Sequence, residues 1–234
     1  MNAHPIQPSL AARGGPRPGD VTYAGQKRYT PAFLDHIYDR VVVGFSNTCV
    51  WRCRSAHIVA LYNEHVSDAH LDVGPGTGYF LERCAFPSAA PEITLLDLNP
   101  NVLDVAARRI ARYAPRTYQA DLLDPLELQP RSFGSIAATH VLHCVPGTMA
   151  EKADILVRLS ALLRPGGVLF GTTVLAGGVP QTLLSRAHIA GLNREGIFSN
   201  RADTLDGLRS ELDERFDDYE LTTRGSLALF EIRA

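Results

Sequence analysis

From Pro31 to about Val66 apolar side chains recur at three- and four-residue spacing: Phe33, Leu34, Ile37 and Val41, then Ile58, Val59, Tyr62 and Val66. This period lays one helix face against a core, so two or three helices are expected there. From Ala69 the pattern changes. Short β-rich runs at His70 to Val73, Ile93 to Asp97, Thr117 to Ala120, Ser135 to His140 and Gly167 to Leu175 alternate with helical stretches, the signature of βαβ units and a largely parallel sheet. Asn99-Pro100 supplies an N-cap and a proline at the first helical position, and Thr148 to Glu151 has capping-box spacing. The helix begun there carries Ile155, Leu156, Leu159, Leu162 and Leu163 on one stripe and is expected to stop at Arg164-Pro165-Gly166-Gly167. Helical runs near Thr182 to Leu192 and Thr204 to Leu212 then lead into Tyr219 to Thr223 and Leu227 to Ile232, which read as a closing antiparallel hairpin across Arg224-Gly225-Ser226. Residues 1–25, rich in proline and glycine without a hydrophobic period, read as a flexible tail. The expected division is this tail, a helical cap over 26–68 and a main domain over 69–234.

Composition narrows the partners. Of 234 residues, 45% are hydrophobic and 21% charged, as in an ordinary globular protein. With 23 basic against 25 acidic residues there is no excess of positive charge to follow a phosphate backbone, so nucleic acid is not expected as a partner. No apolar run approaches the ~20 residues that cross a bilayer, and the start lacks the apolar segment of a signal peptide, so no membrane association and a cytoplasmic location are expected. Cys49, Cys53, Cys84 and Cys144 have neither disulfide-scaffold nor zinc-ribbon spacing, and no metal is expected.

The chemistry centres on Asp72-Val73-Gly74-Pro75-Gly76-Thr77-Gly78, where an apolar strand enters a glycine-dense turn that opens a helix. Such a turn lets backbone approach a ligand closely and presents free N–H groups. A dinucleotide fold would use G-x-G-x-x-G to admit a pyrophosphate. Here the spacing is G-x-G-x-G, with an acid two residues ahead that would repel phosphate. The segment resembles the first motif of class I S-adenosylmethionine-dependent methyltransferases of the small-molecule type, and three later features fall in that family's order: Asp97 ending the second strand, Ala120-Asp121-Leu122 after the third, and Leu163 to Leu169 introducing the fifth. Together they cover about residues 69 to 175.

The resemblance implies an α/β, Rossmann-like seven-stranded sheet in the order 3-2-1-4-5-7-6, strand 7 antiparallel, with helices on both faces and an N-terminal helical cap. It implies S-adenosylmethionine as cofactor, held by Gly74, Gly76 and Gly78 of the loop, Asp97 with Leu98 at the ribose, Asp121 and Leu122 at the adenine, and Asp72 with the His140 carbonyl at the methionyl amine. The acceptor side is the segment Thr139 to Gly147, where His143 is the expected general base and Cys144 a small packing residue. Tyr38, Asn47 and Trp51 of the cap are expected to contact the acceptor. That acceptor is a small molecule, plausible for secondary metabolism, methylated on O, N, S or C by a monomer or homodimer. Two rivals remain at this stage: a non-catalytic S-adenosylmethionine-binding regulatory module, and an NAD-dependent oxidoreductase.

Overall fold

The computed structural model describes residues 25–234. The expected tail lies outside these residues except for Gly25. Among the described residues, strands β1 (Ala69–Val73), β2 (Glu92–Asp97), β3 (Arg116–Gln119), β4 (Phe133–Thr139), β5 (Leu163–Val174), β6 (Tyr219–Arg224) and β7 (Leu227–Arg233) form one sheet. Its order is β3-β2-β1-β4-β5-β7-β6, the expected topology, and only β7 runs antiparallel to its neighbours. β1 is buried at all five positions, as a parallel strand covered on both faces must be.

Helices α1 (Pro31–Phe33), α2 (Ser55–His65), α3 (Tyr79–Arg83), α4 (Pro100–Arg109), α5 (Met149–Ser160), α6 (Leu183–Arg194) and α7 (Leu205–Arg215) surround the sheet. On one face Ile58 and Tyr62 of α2 and Leu103 and Ala106 of α4 pack on Leu95 and Phe170. On the other, Leu156 and Leu159 of α5 and Leu208 and Leu212 of α7 pack on Leu71, Ile136 and Phe230. The helix starts follow the sequence signals. Asn99 caps α4 by accepting from the Asn101 N–H at 2.9 Å, and Thr148 and Glu151 make both halves of a capping box.

Two expectations are corrected. The cap continues from α1 not as an α-helix but as a π-helix, Leu34–Val50, whose Ser46 carbonyl accepts from the Trp51 N–H at 2.8 Å. Wider winding turns different residues inward: Leu34, Val43, Asn47 and Val50 are buried, whereas Ile37, Val41 and Phe45, apolar at α-helical spacing, are 44–52% exposed. Second, α5 ends at Ser160 and β5 begins at Leu163, so Arg164-Pro165-Gly166-Gly167 lies inside the strand and does not terminate a helix. There the pairing jumps from Phe133–Leu163 to Ser135–Val168, and Gly166, at φ +77°, forms the bulge.

Beyond β5 the chain is fastened by a contact no sequence pattern announces. Lys152 of α5 is fully buried, and its Nζ lies 2.6 Å from Asp203 Oδ2 and donates to the Ser199 carbonyl at 2.7 Å. Asp203 in turn accepts at its carbonyl from the Ala176 and Gly177 N–H groups. Replacing Lys152 by Met leaves the Asp203 carboxylate buried without a cation, and unfolding in urea should show a loss of ~3–5 kcal/mol. Adding Asp203→Leu to Lys152→Met should recover most of that loss, because no unpaired charge then remains.

Candidate active site

The parallel register decides what meets at the carboxyl ends of the strands. Val73 pairs with Leu96 of β2 and with Ala138 of β4, so Gly74, Asp97 and Thr139 emerge side by side where the chain order reverses. The Gly74 N–H donates to the Leu96 carbonyl at 2.8 Å, holding the loop down on β2. Gly74 has φ +65°, and a β-carbon there would sit 2.5 Å from Val141 Cγ2. At Gly76 (φ +57°) a β-carbon would lie 3.0 Å from the Tyr38 hydroxyl. The glycines are thus required both by their conformation and by the closeness of the loops above them.

A cleft of about 130 Å³, partly open to solvent, lies over these strand ends. Gly74, Gly76, Asp97, Leu98, Asp121 and Leu122 line its floor, and Thr139, His140 and Cys144 its β4 side. Its roof comes from Gly25, Gln26, Tyr29 and Tyr38, with Gly196 and Ile197 at the far edge. Hydrogen bonds hold this roof. Asn99 Nδ2 donates to the Gln26 and Tyr29 carbonyls at 3.2 and 3.4 Å, and Arg28 pairs with Glu195. Asp39 next to Tyr38 accepts from Thr77 at 2.5 Å and from Arg109 at 2.7 Å, tying the π-helix to the glycine loop and to α4. Arg109 also donates to Thr77 at 2.7 Å, closing a three-membered ring of contacts.

The cleft's electrostatics are acidic and uncompensated. No lysine or arginine lines it, and among the described residues neither Asp97 nor Asp121 forms an ion pair. Asp97 Oδ1 accepts from the Asn99 N–H at 2.7 Å, but burial dominates and pushes the carboxyl up to about 7. Asp121 Oδ1 accepts from the Leu123 N–H at 2.9 Å, shaping the turn at the floor. A site with acids and without cations fits a ligand rich in hydroxyl, amine and cationic groups, as S-adenosylmethionine is, and does not fit the pyrophosphate of NAD. No helix among the described residues is long and apolar enough to cross a membrane, and no cluster of three or more metal-ligating side chains occurs among them.

The structure brings Tyr38, Gly74, Gly76, Asp97, Leu98, Asp121, Leu122 and His140 together around the cleft. Gly78, at φ +75°, caps α3 just behind the loop and packs on Ala106. Asp72 is buried beneath the loop; Tyr62 donates to its Oδ2 at 2.9 Å, while its Oδ1 has no partner. Asn47 lines a small chamber behind the glycine loop instead of the acceptor side. Trp51 and His143 do not line the cleft either. Trp51 is buried against Phe198 and His188, at ring distances of 6.0 and 5.4 Å, and its carbonyl accepts from the Ser226 N–H of the hairpin. His143 is also buried. Its Nδ1 accepts from the Val174 N–H at 3.1 Å, Phe198 covers the ring at 4.3 Å, and burial holds the imidazole well below its ordinary pKa. A nitrogen already accepting from backbone has no lone pair to offer a substrate, so the general-base expectation for His143 is withdrawn on geometry. The roof residues Gln26 and Tyr29 were missed because they lie beside the proline- and glycine-rich stretch, where no period marks them. The aromatic spacing Tyr29, Phe33, Tyr38, whose rings pack together at 6.0–6.4 Å, was the available signal.

Comparison with known proteins agrees with this geometry. Residues 71–169 match a family model described as a methyltransferase domain. The chain is 41% identical over 206 residues to demethylluteothin O-methyltransferase of Streptomyces thioluteus, covering 88% of this chain and 89% of that one. It is 31% identical over 212 residues to the physcion biosynthesis cluster O-methyltransferase of Aspergillus chevalieri, covering 90% and 95%. The fold is similar to the N-methyltransferase NodS from Bradyrhizobium japonicum, solved with S-adenosylhomocysteine, with a TM-score of 0.59 at 18% identity over 92% and 98% of the two chains.

Asp97 gives the site a pH dependence whose sign can be stated. In the free protein the carboxyl is half protonated near pH 7. A ligand diol donating to it prefers the carboxylate, so binding must expel a proton when the pH is lower. Affinity for S-adenosylhomocysteine should therefore fall up to ~tenfold per pH unit below about 7 and level off above it. Calorimetry in buffers of different ionisation enthalpy reads the released proton directly. Asp97→Asn should weaken binding by ~2 kcal/mol at high pH and remove the dependence.

Proposed function

This chain belongs to the S-adenosylmethionine-dependent methyltransferases, and within that family we propose that it methylates a hydroxyl of a small, largely apolar molecule of secondary metabolism. The observation that carries the reading is the roofed cleft at the ends of β1, β2 and β4, acidic where a nucleoside and an amine would lie and lined by Tyr29, Tyr38, Cys144 and Ile197 on the remaining side. Its compactness supports a small acceptor over a protein or nucleic acid. The names of the similar Streptomyces and Aspergillus enzymes support oxygen as the methylated atom.

When bound, S-adenosylmethionine supplies a methyl group on a sulfonium leaving group. The chain's own residues then have three tasks. Asp97 accepts from the ribose hydroxyls and Asp121 with the Leu122 N–H reads the adenine edge. The glycine loop offers N–H groups to the methionyl carboxylate, and Asp72 anchors the strand beneath that loop through its hydrogen bond from Tyr62. The roof excludes water, so that the acceptor is oriented in a dry space and rate enhancement comes chiefly from proximity. Cys144, pushed up to about 12 by burial, remains a thiol and acts as an apolar wall.

The direct test is calorimetry with S-adenosylhomocysteine and with NAD, followed by incubation with S-adenosylmethionine and a panel of hydroxylated aromatics that includes demethylluteothin. S-adenosylhomocysteine should bind and NAD should not, and mass spectrometry should show a methyl ether. Tight NAD binding, or cofactor binding with methylation only of amines, overturns the reading.

A further inference from the structure

The segment after β5 encloses a second cavity, which shares no lining residue with the cleft. It measures about 610 Å³, opens to solvent, and lies between α6 and the turn at Gly177 to Val179. On α6 Arg186, Ile189, Ala190, Asn193 and Arg194 recur at three- and four-residue spacing, so one helix face forms the wall. Arg201, from the segment before α7, adds a third guanidinium. No aspartate or glutamate lines the space. The two acids nearest these arginines in sequence are committed elsewhere, Glu195 to Arg28 and Asp203 to Lys152. None of the three guanidiniums has an ion pair or a side-chain hydrogen bond among the described residues. The cleft and this cavity are thus opposite in charge: acids without cations in one, cations without acids in the other.

Both walls are fixed by hydrogen bonds of the chain itself. Asn193 Nδ2 donates to Asn200 Oδ1 at 2.8 Å, and Asn200 Nδ2 donates to the Val174 carbonyl at 2.8 Å, tying α6 to the end of β5. Across the cavity the Ala176 and Gly177 N–H groups donate to the Asp203 carbonyl, and the Gly177 carbonyl accepts from the Leu205 N–H at 3.1 Å. A guanidinium meets carboxylate or phosphate oxygens with two parallel N–H donors. Arg186 and Arg194 stand roughly 12 Å apart along the axis of α6, so the positive charge is spread along the wall and not gathered at one point. Ile189, Ala190 and Val179 add apolar surface for a carbon skeleton. From this we propose that the cavity is a second ligand site, for a small organic anion carrying two or more carboxylate or phosphate groups, bound independently of the cofactor. A concave wall of this kind suits a small molecule better than the acidic face of a protein. Because the three arginines are exposed to solvent, binding weakens as salt rises. The inference does not depend on which atom is methylated at the cleft.

Calorimetry on the native protein tests the site, with citrate as the carboxylate probe and fructose 1,6-bisphosphate as the phosphate probe, each titrated with and without S-adenosylhomocysteine. At low ionic strength at least one of them should bind one per chain, more weakly at about 0.15 M salt, and with the same affinity whether or not S-adenosylhomocysteine is present. Binding of citrate alone assigns a carboxylate ligand, and of the bisphosphate alone a phosphate ester. Acetate and sorbitol, with one charge and none, should give no heat. Arg186→Gln and Arg201→Gln should each weaken binding ~tenfold or more. Arg116→Gln, an exposed arginine on edge strand β3, should leave it unchanged. Thermal melting of each variant shows that it is folded. Absence of binding by both anions, displacement of the anion by S-adenosylhomocysteine, or equal weakening by Arg116→Gln overturns the proposal. So does binding of a decaglutamate peptide where neither small anion binds, which would make the arginines a protein-facing surface. If S-adenosylhomocysteine fails to bind, the functional reading falls separately, and the titrations without it still decide whether the cavity holds an anion.

Discussion

Everything at the cleft depends on how closely the β1 and β4 loops can approach. With Val73 paired to both Leu96 and Ala138, the register forces the chain leaving β1 to pass directly under Val141, and a β-carbon at Gly74 would penetrate Val141 Cγ2 at 2.5 Å. The same pairing brings Asp97 and Thr139 to either side of Gly74. One steric constraint thus fixes where the acid, the free N–H groups and the β4 wall stand relative to one another. The strained turn at His140 follows from it, because the chain leaving β4 must rise over the glycine loop while its N–H remains bonded to β5.

Burial then separates the roles of chemically similar side chains. His140 and His143 lie three residues apart, with ring centroids 5.9 Å from each other, yet one forms part of the cleft wall and the other is packed under Phe198 with its nitrogen bonded to backbone. Asp72 stands one residue before the end of β1 and Asp97 at the end of β2, but only Asp97 lines the open space; Asp72 is closed off by Tyr62. In each pair one step of strand or turn geometry, too small to read in a sequence, decides between a group that meets a ligand and one that holds the frame.

That distinction explains what was legible. Caps at Asn99 and Thr148 are local, since the donor and acceptor lie within three residues, and each formed where its spacing indicated. Strand order was legible through the family resemblance that the ordered motifs carry. The π-helix was illegible because the reading assumed 3.6 residues per turn, and Ile37 and Val41 of the expected stripe face outward. Lys152 and Asp203, fifty-one residues apart in sequence, carry no local sign of their union. The displacement of Trp51 and His143 from the cleft has the same origin: both are claimed by Phe198, which arrives from a distant segment.

The roof's fastenings are of a different kind from those of the core. The Asp39–Arg109 pair is about a quarter exposed on each side, and Arg28–Glu195 about half. Ion pairs so placed contribute ~0–1 kcal/mol each, and the aromatic contacts of Tyr29, Phe33 and Tyr38 add ~0.5–1.5 kcal/mol apiece. The sum is a few kcal/mol, well below what would be needed to unfold the sheet, whose central strands are buried on both faces. Contacts of this strength can break without unfolding the sheet. An enzyme that must exclude water during transfer, yet release a product nearly the size of what it bound, requires such contacts. The Asp39–Arg109 contacts converge on Thr77 in the glycine loop itself, so a loop correctly seated on its ligand and a closed roof stabilise each other.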